Sequence, residues 1–93
     1  MDIMDWTTNT SMKIGDLIFP IIPKNHQNPW IRIYDIPYAI TIGPHSTWKF
    51  PAVVDKISSN DPSIIIEIDQ NGKTKILTPK SILGWCDSRL LQK

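Results

Sequence analysis

Cys86 is the only cysteine among the 93 residues, so no intrachain disulfide can form and a secreted, disulfide-stapled fold is excluded. The four glycines stand apart, at positions 15, 43, 72 and 84, which leaves no glycine-rich loop to cradle a phosphate. Charge of one sign is also scarce. A net charge of +1 argues against binding that relies on a large positive field, because phosphate affinity comes largely from clustered lysine and arginine. Residues 49–93 hold seven basic and five acidic groups and residues 1–48 three and four, too even a split to mark a charged tail. Apolar runs such as Ile64-Ile65-Ile66 fall far short of a membrane span, and the start MDIMDW has neither a basic n-region nor a following apolar h-region. Together these absences point to a soluble chain in a reducing compartment, with the cytoplasm the simplest setting.

Helical periodicity is missing as well. Eight prolines punctuate the chain, and no long proline-free window carries a capped i, i+3, i+4, i+7 apolar stripe. A hydrophobic fraction of 41% with 20% charged residues fits one folded core, since domains start at roughly 50 residues. Seventeen isoleucines favour strands. The chain therefore reads as all-β, with residues 1–12 a flexible N-terminal tail and residues 13–93 a single domain.

The strands follow from period-two alternation and turn residues. Residues 13–19 form the first, ended by Pro20, which lacks a ladder donor. Residues 48–57 form the second, with Trp48, Phe50, Ala52 and Val54 sharing the core face and Lys49 pointing away. Residues 63–69 form the third, with Ile64, Ile66 and Ile68 on its buried face and Glu67 and Asp69 on the other. Asn71-Gly72 predicts a type I′ hairpin turn into a fourth strand at 73–78. A turn at 79–83 then leads to a last strand around Gly84-Trp85-Cys86. The connection 20–46 is unusually long and carries strand character: residues 30–34 alternate, and residues 38–42 can pair with them across the Asp35-Ile36-Pro37 turn.

The run Gly15-Asp16-Leu17-Ile18-Phe19, followed by Trp48-Lys49-Phe50-Pro51-Ala52-Val53-Val54-Asp55-Lys56-Ile57, an isoleucine-rich strand and an Asn-Gly turn, resembles the SH3-like barrels of the Tudor and PWWP kind. The resemblance implies a small five-stranded SH3-like barrel with an elaborated loop, the insertion 20–46, between its first and second strands. It also implies that Phe19 and Phe50 stand where that family walls an aromatic cage for methylated lysine. The chain departs from the family at Lys49, where an aromatic is usual, and in the length of the insertion. The ending Gly84-Trp85-Cys86 is similar to the Gly-Trp-Val ending of bacterial SH3 domains, which bind peptides or protein partners.

Sites for catalysis or metal binding are thin. His26, His45 and Cys86 have no metal-ligand spacing, no sequence context activates Cys86 toward His45, and Glu67 with Asp69 reads as a solvated strand face rather than an acid pair. No cofactor, metal or catalytic residue is expected. The aromatics are the informative class, since aromatic side chains with a polar rim commonly anchor partner recognition. The expected function is a non-enzymatic interaction module that holds a peptide or protein partner in an aromatic groove of Phe19, Tyr34, Tyr38, Trp48, Phe50 and Trp85. One alternative is a nucleic-acid-binding barrel using Lys73, Lys75, Lys80 and Arg89 with surface aromatics. Another is a phage- or plasmid-encoded inhibitor of a host protein.

Overall fold

The computed structural model describes residues 12–22 and 24–93, so the tail expected at 1–12 lies outside the described residues except for Met12, which is buried in the core. The chain is all-β. Among the described residues the strands are β1 (Leu17–Pro20), β2 (Trp30–Tyr34), β3 (Ile40–Ile42), β4 (Thr47–Lys49), β5 (Val53–Ser58), β6 (Ser63–Ile68), β7 (Lys73–Leu77), β8 (Leu83–Asp87) and β9 (Leu91–Gln92), with a 3₁₀ turn at Ser88–Leu90. Seven of them make an antiparallel sheet in the order β5-β2-β8-β7-β6-β1-β9, and β3 with β4 forms a separate two-stranded hairpin. The sheet curls until β5 touches β1, but no ladder joins them. It therefore has seven strands rather than five and is not closed into a barrel by hydrogen bonds.

The curl encloses Ile18, Ile31, Ile33, Ile57, Ile65, Ile76, Cys86 and Leu91, each at most 3% exposed. Two of these, Ile31 and Ile33, come from the segment 20–46. That segment is an elaboration in length only, because its strand β2 pairs with β5 along its whole length and meets β8 at Tyr34 opposite Trp85. β3, expected to pair with β2, instead pairs with β4.

Three local expectations are corrected. The long second strand splits at Phe50-Pro51-Ala52 into β4 and β5, since Pro51 cannot donate to a ladder. In β5 it is Asp55 and Ile57 that face inward, while Val54 is exposed. In β6 Ser63 and Ile65 take the inward phase, so Ile64 and Ile66 turn outward, and beyond a bulge at Ile66, which shifts the pairing between Ile65 and Glu67, Ile68 is exposed as well. Ile65 takes the core position, and the three isoleucines around it remain about 40% exposed. The hairpin at Asn71-Gly72 forms as expected, but Gly72 alone takes positive φ, at 95°. Asp69 N–H donates to Lys73 O at 2.8 Å, and Gly72 N–H donates to Asp69 O at 3.3 Å. This is the three-residue loop with a glycine bulge, favoured here because the Asp69 side chain also accepts from Asn71 N at 3.3 Å.

Carboxylates fasten the ends of these elements. Asp55, buried in β5, accepts from Lys56 N at 2.8 Å and pairs with Lys80 Nζ at 3.5 Å. Burial pushes its pKa up, but hydrogen bonding from Thr78 and Lys56 and the Lys80 charge outweigh this and leave it below the ordinary value. The guanidinium and backbone N–H of Arg89 bind the Asp87 carboxylate and hold it at about 2. Both folded pKa values lie below those of the unfolded chain, so the stability they supply is present above the ordinary aspartate range and is lost as pH falls through it. Urea midpoints should hold from neutral pH to about 5 and then drop as pH falls toward about 2. Asp87→Asn should flatten the acid limb of that profile by roughly 1 kcal/mol, after allowance for solvent screening of an exposed arginine partner. A profile unchanged by this substitution would show that the pair contributes nothing.

Candidate functional site

β2 and β8 share one registered pair and then splay. The gap between them is a cleft of about 190 Å³, lined among others by Trp30, Tyr34, Pro37, Trp85, Arg32 and Lys73. Its construction follows from the sequence of each wall. Trp30, Arg32 and Tyr34 alternate with the core residues Ile31 and Ile33, so period two sends all three to the same side of β2. Trp85 alternates with Gly84 and Cys86 on β8 in the same way.

Gly84 makes the approach of the two strands possible. A Cβ there would lie 2.3 Å from Ile33 Cγ2 and 3.0 Å from Tyr34 O, so only glycine lets β2 cross at this depth.

The charge around the cleft is lopsided. Arg32 lies 5.4 Å and Lys56 Nζ 4.3 Å from the Trp30 ring centroid, and Lys73 Nζ lies 5.9 Å from the ring centroid of Tyr38. Such cation–π contacts hold the ammonium and guanidinium groups over the aromatic walls. None of Arg32, Lys56 and Lys73 forms an ion pair among the described residues. Among the described residues Asp87 is the one carboxylate in the lining; Arg89 Nη2 meets its charge at 2.7 Å, and Lys73, opposite it on β7, adds a weaker attraction.

The six aromatics expected to form one groove fall on different surfaces. Tyr34 and Trp85 are half-buried and wall the cleft, and Tyr38 stands at its rim beside Lys73. Burial, followed by the nearby carboxylates of Asp69 and Asp87, raises the Tyr38 pKa. Phe19 sits half-buried on β1 opposite Gln92 and takes no part in the cleft. Trp48 and Phe50 are 58% and 68% exposed. They stack on each other with centroids 6.4 Å apart at the base of the β3–β4 hairpin.

That hairpin is an arm clamped by Asp35. The Asp35 carboxylate accepts from Ala52 N at 2.9 Å and from Lys49 Nζ at 3.2 Å, while Asp35 N–H donates to Ala52 O at 2.9 Å. Lys49 therefore points away from the two aromatics because it is tied to the clamp. Since Trp48 and Phe50 support no core, the double substitution Trp48→Ala with Phe50→Ala should change unfolding free energy by less than about 0.5 kcal/mol, read from urea denaturation.

The lysines and arginine of the nucleic-acid alternative are likewise divided. Lys80 is engaged with Asp55 and Arg89 with Asp87. Lys73 lines the cleft, and Lys75 is paired across the sheet with both Glu67 and Trp85. Trp30, Arg32 and Lys56 are the residues that sequence reasoning missed. The signal for Trp30 and Arg32 was available in the alternation of WIRIY, once that run is placed in the sheet instead of in a loop; Lys56 joins them only through the pairing of β5 with β2.

Burial, with the Asp87 charge, pushes the Cys86 thiol up to about 12, so it stays protonated at neutral pH and is a poor nucleophile. His45 lies in the exposed turn of the arm. Among the described residues no group of three or more His, Cys, Asp or Glu could hold a metal ion, and no helix is long and apolar enough to cross a membrane. No protein-family model matches this chain, and no curated protein or solved structure matches it significantly.

Proposed function

We propose that this protein is a non-enzymatic interaction module that holds a peptide segment of a protein partner in the cleft between β2 and β8. The observation that carries this reading is the convergence of Trp30, Tyr34 and Trp85 with Pro37 around one opening of about 190 Å³. Tryptophan, tyrosine and arginine are the residues most often found to dominate binding energy at interfaces. The volume is below that of pockets for drug-sized ligands, which start at roughly 300 Å³, and suits a single anchoring side chain. The SH3-like reading belongs to the same proposal. The curl that brings β5 against β1 supports it, and such small barrels commonly serve as binding scaffolds. The methyl-lysine cage implied by that resemblance draws no support from Phe19 and Phe50, which stand outside the cleft.

Selection of random displayed peptides on the immobilised protein tests the reading. Recovered peptides should bind the wild type and the Trp48→Ala, Phe50→Ala double variant equally and lose affinity for Trp85→Ala. Peptides that lose affinity for the double variant and keep it for Trp85→Ala would move the site to the arm.

A further inference from the structure

Where β2 and β8 part, each leaves a backbone edge with no partner strand among the described residues. Tyr34 opposite Trp85 is their single registered pair. Continuing that antiparallel ladder would place Ile33 opposite Cys86 and Arg32 opposite Asp87, and neither pair forms. Instead Ile31 and Arg32 line the cleft together with Cys86 and Asp87. The far edge of β2 is occupied by β5 from Trp30 to Tyr34, and the far edge of β8 by β7 from Leu83 to Asp87. The free edges therefore both turn toward the opening. An unpaired strand edge is a template for another strand, and its alternating N–H and C=O groups match an extended peptide.

Side chains at the same opening set the charge of what enters. Arg32 and Lys73 project there without an ion pair among the described residues, and Lys56 stands beside them over Trp30; Asp87, the lone carboxylate of the described lining, is bound by Arg89 and faces Lys73 across the strands, which leaves the cations in excess. We infer that the wedge between β2 and β8 takes an extended acidic peptide strand. Its backbone pairs with the free edge of β2, one large apolar or aromatic side chain packs against Trp30, Tyr34 and Trp85, and its carboxylates meet Arg32 and Lys73. The inference rests on the cleft being the binding site.

A single-stranded nucleic acid would satisfy the cations but not the strand edge, since a phosphodiester backbone has no amide to pair with it. It would also compete with Lys56 and Arg32 for the face of Trp30, where a base would have to stack.

The test uses the full chain and the peptides recovered from a random displayed library. They should carry aspartate or glutamate around one aromatic or large aliphatic residue. The tightest of them, synthesised with a fluorescent label, should bind more weakly as salt rises and lose roughly tenfold or more in affinity for the Arg32→Glu, Lys73→Glu double variant. Methylating its amide nitrogens one at a time should weaken binding at alternate positions only, as a ladder requires. The variants' thermal melts establish that they remain folded.

Peptides without acidic residues, or indifferent to the charge reversal yet lost on Trp85→Ala, overturn the acidic strand and leave the cleft standing. No recovery, or binding indifferent to every one of these variants, overturns the cleft as well. A labelled oligothymidine that binds with the same dependence on Arg32 and Lys73, while no acidic peptide does, reassigns the site to nucleic acid.

Discussion

Gly84→Ala should destabilise the protein by about 3 kcal/mol, at the upper end of what overpacking usually costs. For a domain of this size that corresponds to a fall in Tm of roughly 12–24 °C. The added Cβ would sit 2.3 Å from Ile33 Cγ2, 3.0 Å from Tyr34 O and 3.1 Å from Val54 Cγ2. The first neighbour is a β-branch methyl with no rotational escape of its own, and the second is backbone. The strain is relieved only by pushing β2 away from β8, which opens the single point where these strands are paired and exposes Ile33, now fully buried. Combining Gly84→Ala with Ile33→Leu removes the branch methyl and should recover part of the loss, because leucine places no carbon at that position. The carbonyl of Tyr34 remains, so recovery is incomplete. A cost for Gly84→Ala below about 1 kcal/mol in urea unfolding would mean that β2 does not cross β8 at the depth described.

Trp85→Ala should reduce peptide affinity by at least tenfold, the scale of a residue that anchors an interface. Trp85 supplies one wall of the cleft and faces Tyr34 across the strand pair, so truncation removes the wall and widens the opening. Trp85 is only half-buried, and the same change should cost the fold less than Gly84→Ala does. Trp85→Phe keeps an aromatic wall and should retain most of the affinity. This separates loss of the wall from general loosening of the fold. Equal affinity for wild type and Trp85→Ala, measured with folded protein, would remove the cleft from the account.

Much of the local structure was legible in particular residues. Asn71-Gly72 marked its hairpin, the prolines and the scattered apolar residues excluded long helices, and the alternation of WIRIY carried a strand. What escaped depended on partners distant in the chain. Nothing near Trp48 shows that Asp35 will clamp the chain at Ala52 and Lys49, so an apolar strand interrupted by Pro51 read as one continuous element. Nothing in SIIIEI shows that Ile66 will be the bulged residue, since every isoleucine there fits either face equally well. Tyr34 and Trp85 were both expected in one aromatic groove, and both do line the cleft. Their pairing with Trp30 depended on Gly84, whose lack of a side chain matters only once β2 lies across it.

The central claim is that the cleft between β2 and β8, and not the arm bearing Trp48 and Phe50, is where a partner binds. Tryptophan indole N–H resonances report it directly, because Trp30 and Trp85 wall the cleft while Trp48 lies on the arm. Titrating a selected peptide into isotope-labelled protein should shift the indole signals of Trp30 and Trp85 and leave that of Trp48 in place. A shift at Trp48 with Trp30 and Trp85 unmoved would contradict the account.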